Sequence, residues 1–207
     1  MNMSKKDIIF SAVTGVITGL IIWRLAVYLN LPRVFGLPYG LAPLIVPNLW
    51  LAGIWFGHFL GRWLKFFTQF GKYAAIGFTN AAIDFGILNL MLAYSGINSG
   101  WAYPVFRGLS ATFAVAHSYC WNKYWVFGAG KSNGGKKELA KFVIVNAVAV
   151  SVNISVASVI VNYMSLPNIN PQIWANIGAV AGSAAALLFS FIGFKIIVFK
   201  KYHPDVI

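Results

Sequence analysis

Acidic side chains are scarce in this sequence, in which four Asp and Glu residues stand against 16 Lys and Arg residues. Charged residues make up only 10% of the chain and hydrophobic residues 59%, which is too little polar surface to coat a water-soluble protein of 207 residues. A membrane glycosyltransferase needs several carboxylates for metal binding and acid–base chemistry. Three of the four, Asp7, Glu138 and Asp205, are predicted to lie outside the hydrocarbon. We therefore predict a membrane protein that is not an enzyme.

Other signals of chemistry are missing as well. The single cysteine, Cys120, excludes an internal disulfide and leaves the redox compartment open. No group of side chains has metal-ligand spacing, and His58 and His117 are expected to be buried and hydrogen-bonded. No glycine-rich, phosphate-cradling motif precedes a helix in the required way. The sequence thus predicts no metal and no cofactor.

Long apolar stretches fill most of the chain. A membrane-spanning helix takes about 20 mostly apolar residues, and six stretches meet this length: about 8–29, 40–63, 70–95, 101–127, 138–164 and 172–199. The sequence predicts an all-α, polytopic membrane fold with about six transmembrane helices. The segment 62–72 reads as an amphipathic linker on the membrane surface, and glycines spaced by four in the second and sixth helices indicate close-packing faces, within the chain or between subunits of a homo-oligomer.

The basic residues indicate the topology. If both termini share one side, 13 of the 16 basic residues fall there, and only Arg24, Arg33 and Arg107 lie toward the other. The positive-inside rule then places both termini in the cytoplasm. We expect a multi-pass protein of the inner (cytoplasmic) membrane, whose positive charge attracts anionic membrane lipids. Because the positive charge is distributed as the topology requires, it gives no reason to expect nucleic acid as a partner.

A repeated frame divides the last four helices. The stretch 118–127, SYCWNKYWVF, and the stretch 190–199, SFIGFKIIVF, share Ser-aromatic-x3-Lys-x2-Val-Phe, 72 residues apart. Lys72-Tyr73 aligns with Lys141-Phe142, and Asp84 with Asn153, each 69 residues apart. The third and fourth helices are therefore predicted to be duplicated as the fifth and sixth, as two helical hairpins in parallel orientation.

Residues 69–200 resemble the GtrA-like family of small four-helix membrane proteins. The resemblance is carried by QFGKYAAIGFTNAAIDF (69–85), by the ending Asn122-Lys123-x-Trp125-Val126-Phe127, and by FKIIVF (194–199). It implies a GtrA-like domain over 69–207, preceded by an extension over 1–68 with two transmembrane helices and the linker. The sequence departs from the family pattern at Ser118 and Ser190, where the family favours Asn, and at Phe194, where it has Asn before the basic residue.

The resemblance also implies a function. Family members are associated with moving polyprenyl-phosphate-linked monosaccharides across the cytoplasmic membrane for cell-surface polysaccharide synthesis, and related modules anchor polyprenyl-phosphate glycosyltransferases. The expected partner is thus a polyprenyl-phosphate sugar lipid. Two alternatives remain open: a non-transporting anchor that recruits a glycosyltransferase, and a small multidrug exporter.

Polar residues inside the predicted helices are the candidate site, because an ionisable group costs at least about 2.5 kcal/mol at a helix centre on insertion scales. Asp84 and Asn80 share a helix face and are expected to contact sugar hydroxyls. Arg107 is expected either to pair with Asp84 or to bind the lipid phosphate bidentately. The other candidates for the substrate path are Ser118, Asn122, Trp125 and Asn153. Four lysines are predicted to collect the lipid phosphate at the cytoplasmic level: Lys72, Lys123, Lys141 and Lys195.

Overall fold

The computed structural model of the chain describes residues 3–33, 36–96, 102–164 and 171–200. These ranges contain six α-helices: α1 Lys5–Tyr28, α2 Ala42–Leu60, α3 Phe66–Ser95, α4 Ala102–Trp121, α5 Gly135–Tyr163 and α6 Pro171–Gly193. Each helix coincides with one predicted apolar stretch, and the described residues contain no β-strand. The all-helical membrane fold is confirmed.

Four segments are long and apolar enough to cross a membrane by length and composition: Lys5–Tyr28, Tyr39–Leu60, Phe66–Ser95 and Ala181–Val198. The second of them includes a short 3-10 turn, Tyr39–Leu41, that leads into α2. Many large apolar side chains on these helices are exposed, such as Leu44 and Phe78, at 66% and 65%. Such side chains suit a lipid solvent, because acyl chains cover them without a penalty.

One boundary differs from the prediction. The chain turns at 61–63, and α3 begins at Phe66, so residues 66–72, which are predicted to belong to the linker, form the first two turns of this helix. Gly57 and Gly71 explain the early start, because an added Cβ at Gly57 would lie 2.8 Å from the Phe67 carbonyl oxygen and 3.4 Å from the Gly71 Cα. Small residues therefore let α2 and α3 pack backbone to backbone. The close-packing face predicted on α2 is thus used within the chain.

The chain forms two compact units, Met1–Gly128 and Ala129–Ile207. In the first unit, α1 packs on both α2 and α3, and α3 packs on α4. Buried hydrogen bonds at the Thr79 hydroxyl connect the first three helices. The Thr18 and Thr79 hydroxyls lie 3.0 Å apart, and the Trp50 indole N–H donates to the Thr79 hydroxyl at 3.2 Å. Because Asp7 meets Lys72 and Thr18 meets Thr79, α1 and α3 run in the same direction. The predicted division at residue 68 falls in the first turn of α3 and stays a prediction.

Both copies of the repeated frame end in a π-helical segment. Asn122–Val126 continues α4, and Phe194–Val198 continues α6. In each, the following phenylalanine closes the turn through its backbone N–H, Phe127 to the Asn122 carbonyl at 2.9 Å and Phe199 to the Phe194 carbonyl at 2.8 Å. Phe127 and Phe199 are fully buried. The repeated sequence thus encodes a repeated local structure, an extra-wide final turn that buries an aromatic ring.

The second unit pairs α5 with α6. The Phe142 and Phe194 rings stack with centroids 4.2 Å apart and an interplanar angle of 12°. In the first unit the equivalent of Phe142 is Tyr73, which lies 6.5 Å from the Phe127 ring. Phe194, the departure from the family pattern, therefore serves as a packing residue where the first copy has Asn122. The parallel orientation of the two hairpins stays a prediction.

Candidate functional site

Asp84 lies in the middle of α3 and is held by α4. The Ser110 hydroxyl donates a hydrogen bond of 2.6 Å to Asp84 Oδ1, and Ser110 is fully buried. This contact joins the two helices of the first hairpin at one level. Since Asp84 is 12 residues from Lys72, the contact lies about 18 Å along α3 from the end where Lys72 lies. The backbone of Arg107 belongs to α4, but its side chain lies outside the described residues, so its pairing with Asp84 stays a prediction.

Buried polar atoms without partners lie between Asp84 and the Lys72 end. The Asn80 side-chain oxygen and both ring nitrogens of His117 have no hydrogen-bond partner among the residues described. By helical rise, Asn80 lies about 6 Å from the level of Asp84, and His117 about 10 Å from the level of Ser110, both toward the Lys72 end. Buried polar groups in proteins are nearly always paired with protein or water. We expected His117 to be hydrogen-bonded, and this expectation is wrong for the part of the chain that is described.

Asn122 continues this row of polar groups. Its side chain is almost fully buried and its Nδ2 donates to the Ser118 carbonyl oxygen at 2.8 Å and to the Ser118 hydroxyl at 3.2 Å. Its Oδ1 finds no partner within the described ranges. Two of the predicted substrate residues, Ser118 and Asn122, are thus brought together by the π-helical ending of α4. We call the set Asp84, Asn80, His117 and Asn122 the polar row.

At the end of this row, four elements converge on one carboxylate. Asp7 in the first turn of α1 is 3% exposed, and its Oδ1 lies 2.5 Å from the Lys72 ammonium and accepts the Trp125 indole N–H at 3.0 Å. Its Oδ2 lies 3.5 Å from His58 Nε2 and accepts the Ser4 backbone N–H at 3.3 Å, while the Ser4 hydroxyl accepts the Asp7 N–H at 3.1 Å. This reciprocal pair is a helix capping box. We call these residues the Asp7 cluster.

Three of the predicted site residues near the Asp7 cluster have partners within the protein. Lys72, predicted to collect lipid phosphate, has its ammonium committed to Asp7, and its side chain is 14% exposed. Trp125, predicted to face a sugar, is 4% exposed and packs edge-on against Phe10 and Trp121, with ring centroids 5.7 and 5.8 Å away. Lys123 is 7% exposed, with its ammonium 3.3 Å from the Tyr119 hydroxyl. Their roles toward a substrate stay predictions.

The second unit repeats the polar contact of the first. Asn153, the equivalent of Asp84, donates from Nδ2 to the Ser183 hydroxyl at 3.3 Å, joining α5 to α6 as Asp84 and Ser110 join α3 to α4. Lys195 lies in the second π-helical segment and is half-buried. Lys141 lies on α5, where it lines a cavity of about 660 Å³ with Lys137 and Lys200.

Several of these residues are not predicted as site residues by the sequence. Asp7 is predicted only to lie outside the hydrocarbon, although the Ser4-x-x-Asp7 spacing of a capping box is visible in the sequence. Ser110, Lys137 and Lys200 carried no distinguishing signal, because serines and terminal lysines are common in membrane helices. In the described part of the chain, no three His, Cys, Asp or Glu side chains are placed to hold a metal ion.

The chain is similar to known membrane proteins. A family model described as GtrA/DPMS, transmembrane domain, matches residues 72–202. Over 79 residues the chain is 30% identical to a Bacillus subtilis (strain 168) protein described as uncharacterized membrane protein YngA, covering 38% of this chain and 49% of that protein. The match thus spans about half the length of this relative. No solved structure matches the chain.

Proposed function

Because this chain belongs to the family of GtrA/DPMS transmembrane domains, we propose that it moves a polyprenyl-phosphate-linked monosaccharide across the inner membrane for cell-surface polysaccharide synthesis. The headgroup passes along the polar row while the polyprenyl chain stays in lipid. The protein performs no chemistry on the sugar. Both termini face the cytoplasm, so the headgroup starts at the end of the first unit that holds Asp7 and Lys72.

The observation that carries this proposal is the set of unpaired buried atoms on α3 and α4. A buried amide or hydroxyl without a hydrogen bond costs roughly 1–3 kcal/mol in protein mutational data. Asn80, His117 and Asn122 present four such atoms at successive levels between Asp84 and the Asp7 cluster. Sugar hydroxyls both donate and accept hydrogen bonds, so a passing headgroup satisfies these atoms one after another. A purely structural hairpin would gain stability from apolar residues at the same positions.

Leaflet exchange in liposomes tests the proposal. The full chain is reconstituted with a synthetic polyprenyl-phosphate hexose, and exchange is followed by the accessibility of the sugar to an added reagent. We expect Asn80→Leu and Asp84→Asn each to slow exchange at least tenfold. Asn89→Leu is the matched control, because Asn89 is a half-buried asparagine of the same helix whose Nδ2 donates to the Phe85 carbonyl oxygen at 2.8 Å. Its exchange rate is expected within twofold of wild type.

The same variants also distinguish the proposed function from its two alternatives, a glycosyltransferase anchor and a multidrug exporter. Wild-type exchange in both Asn80→Leu and Asp84→Asn would refute the polar row as the path. If, in addition, deletion within 128–140 abolished recruitment of a glycosyltransferase, the anchoring function would replace the proposal. Resistance to lipophilic cations that depended on Asp84 would favour the multidrug exporter. A reporter fused to either terminus tests the orientation, and we expect activity only for a reporter that works in the cytoplasm.

A further inference from the structure

The second unit contains a basic cavity that the proposed path does not use. It has a volume of about 660 Å³, and among the described residues its charged lining consists of three lysines and one glutamate, Lys137, Glu138, Lys141 and Lys200. Its apolar wall is formed by the π-helical segment, where Ile196 and Ile197 are 55% and 48% exposed. A site of this size holds a small polar headgroup. We call it the lysine cavity.

The lysines of this cavity have no pairing partner in the described part of the chain. None of the three ammonium groups has an ion pair or hydrogen bond with any residue of the described ranges. Lys137 and Lys141 lie four residues apart on α5, and like charges at this spacing repel each other and destabilise a helix. An anion between them would turn this repulsion into attraction.

The carboxylate in the lining is held in place at the edge of the cavity. Glu138 is 5% exposed and accepts a hydrogen bond of 2.5 Å from the Ser132 hydroxyl. Gly134 makes room for it, since an added Cβ there would lie 2.7 Å from the Glu138 Cβ. Among the described lining residues, three ammonium groups and one carboxylate leave two positive charges in excess. A phosphomonoester carries about −1.5 to −2 at pH 7, whereas a phosphodiester carries one negative charge.

We propose that the lysine cavity binds the phosphomonoester headgroup of a lipid, with the phosphate between Lys137, Lys141 and Lys200 and the lipid chain along Ile196 and Ile197. Basic pockets between membrane helices are known receptors for anionic lipid headgroups. The two excess positive charges match the charge of a phosphomonoester better than that of a phosphodiester. The exposed isoleucines favour a lipid over a soluble phosphate. The polyprenyl-phosphate sugar is a diester, so this site goes beyond the proposed function. It suits the carrier lipid without its sugar, or another phosphomonoester lipid.

Lipid binding to the purified full chain tests the proposal. The probes are dioleoyl phosphatidic acid and polyprenyl phosphate as monoester lipids, dioleoyl phosphatidylglycerol as a diester lipid, and glycerol 3-phosphate as a soluble monoester. We expect both monoester lipids to bind at least tenfold tighter than the diester at pH 7.5. Below the second phosphate pKa of about 6 the monoester loses its extra charge. The preference should therefore largely disappear at pH 5.

Neighbouring lysines provide the control. Lys200→Gln is expected to weaken binding of phosphatidic acid about fivefold, the factor that corresponds to about 1 kcal/mol per basic residue. Lys136→Gln removes an exposed lysine that lies next to Lys137 in the chain but does not line the cavity, and is expected to change binding less than twofold. Both substitutions are on exposed side chains and preserve the fold.

Three results would overturn the proposal. Equal affinity for monoester and diester lipids would refute the charge balance, and equal effects of Lys136→Gln and Lys200→Gln would show only general surface attraction. Glycerol 3-phosphate binding as tightly as phosphatidic acid would refute the lipid assignment. The readout is binding and not leaflet exchange, so a chain that moved no lipid-linked sugar but kept this selectivity would refute the proposed function alone.

Discussion

Removing the Asp7 carboxylate is the sharpest perturbation the structure offers, because one side chain joins α1, α2, α3 and the end of α4. In Asp7→Ala the Lys72 ammonium, now 2.5 Å from Asp7 Oδ1 and 14% exposed, loses its counter-charge, and the Trp125 indole N–H loses its acceptor. Breaking a buried ion pair by removing one partner costs about 3–5 kcal/mol. We expect Asp7→Ala to lower the free energy of unfolding by this amount.

Thermal unfolding in detergent, followed by tryptophan fluorescence, measures the effect. For a chain of this length, 1 kcal/mol shifts the melting temperature by roughly 2–4 °C. Asp7→Ala should therefore melt about 6–20 °C lower than wild type. Asp7→Asn keeps the shape and an acceptor for Trp125 but also leaves Lys72 without its counter-charge, and is therefore expected to cost less than Asp7→Ala, near the lower end of the same range, about 3 kcal/mol.

A double-mutant cycle isolates the ion pair from the capping box. In Asp7→Asn combined with Lys72→Met, no charge is left unpaired, so the double variant should be more stable than Asp7→Asn alone. A melting temperature of Asp7→Ala within 2 °C of wild type would refute the reasoning. So would a double variant that melts below both single variants, because the two losses would then be independent.

Three further predictions follow from packing and hydrogen bonding, and each is checked by the same melting measurement. Gly57→Leu should push α2 and α3 apart and lower the melting temperature by more than 5 °C, whereas Gly53→Ala should be neutral, since no atom lies within 4 Å of an added Cβ at Gly53. Phe142→Ala removes a fully buried ring stacked on Phe194 and should cost about 3–5 kcal/mol; a loss below 1 kcal/mol would contradict the stacking. Trp125→Phe keeps the aromatic packing but removes the N–H bonded to Asp7, and should cost about 1.5–3 kcal/mol; no change would show that this bond contributes nothing.

The sequence predicted the helices well because bilayer thickness fixes their length, and six apolar stretches of that length leave few alternatives. The repeat was also predictable, since Ser118 to Phe127 and Ser190 to Phe199 share a frame and equivalent contacts follow it. The π-helical winding of both endings could not be predicted, because it depends on one extra residue that the hydrophobic periodicity does not indicate.

The candidate site was harder to predict than the fold. The pairing of Asp7 with Lys72 depends on the parallel packing of α1 and α3, which brings together residues 65 positions apart. A charge near a terminus looks solvated until the tertiary structure covers it. The start of α3 at Phe66 was missed for a similar reason: basic and aromatic residues read as a surface segment, and the contact between Gly57 and Gly71 overrode that pattern.

The two π-helical endings leave the direction of the following phenylalanine insensitive to the loss of one residue. A π-helical turn holds one residue more than the α-helical turn it replaces, whereas one residue added to an α-helix rotates everything after it by about 100° at 3.6 residues per turn. Deleting one residue within 122–126 would therefore restore α-helical winding and leave the Phe127 ring directed at Tyr73. An insertion has no such spare residue to remove, so insertions here are expected to be more damaging than single-residue deletions in both halves of the chain.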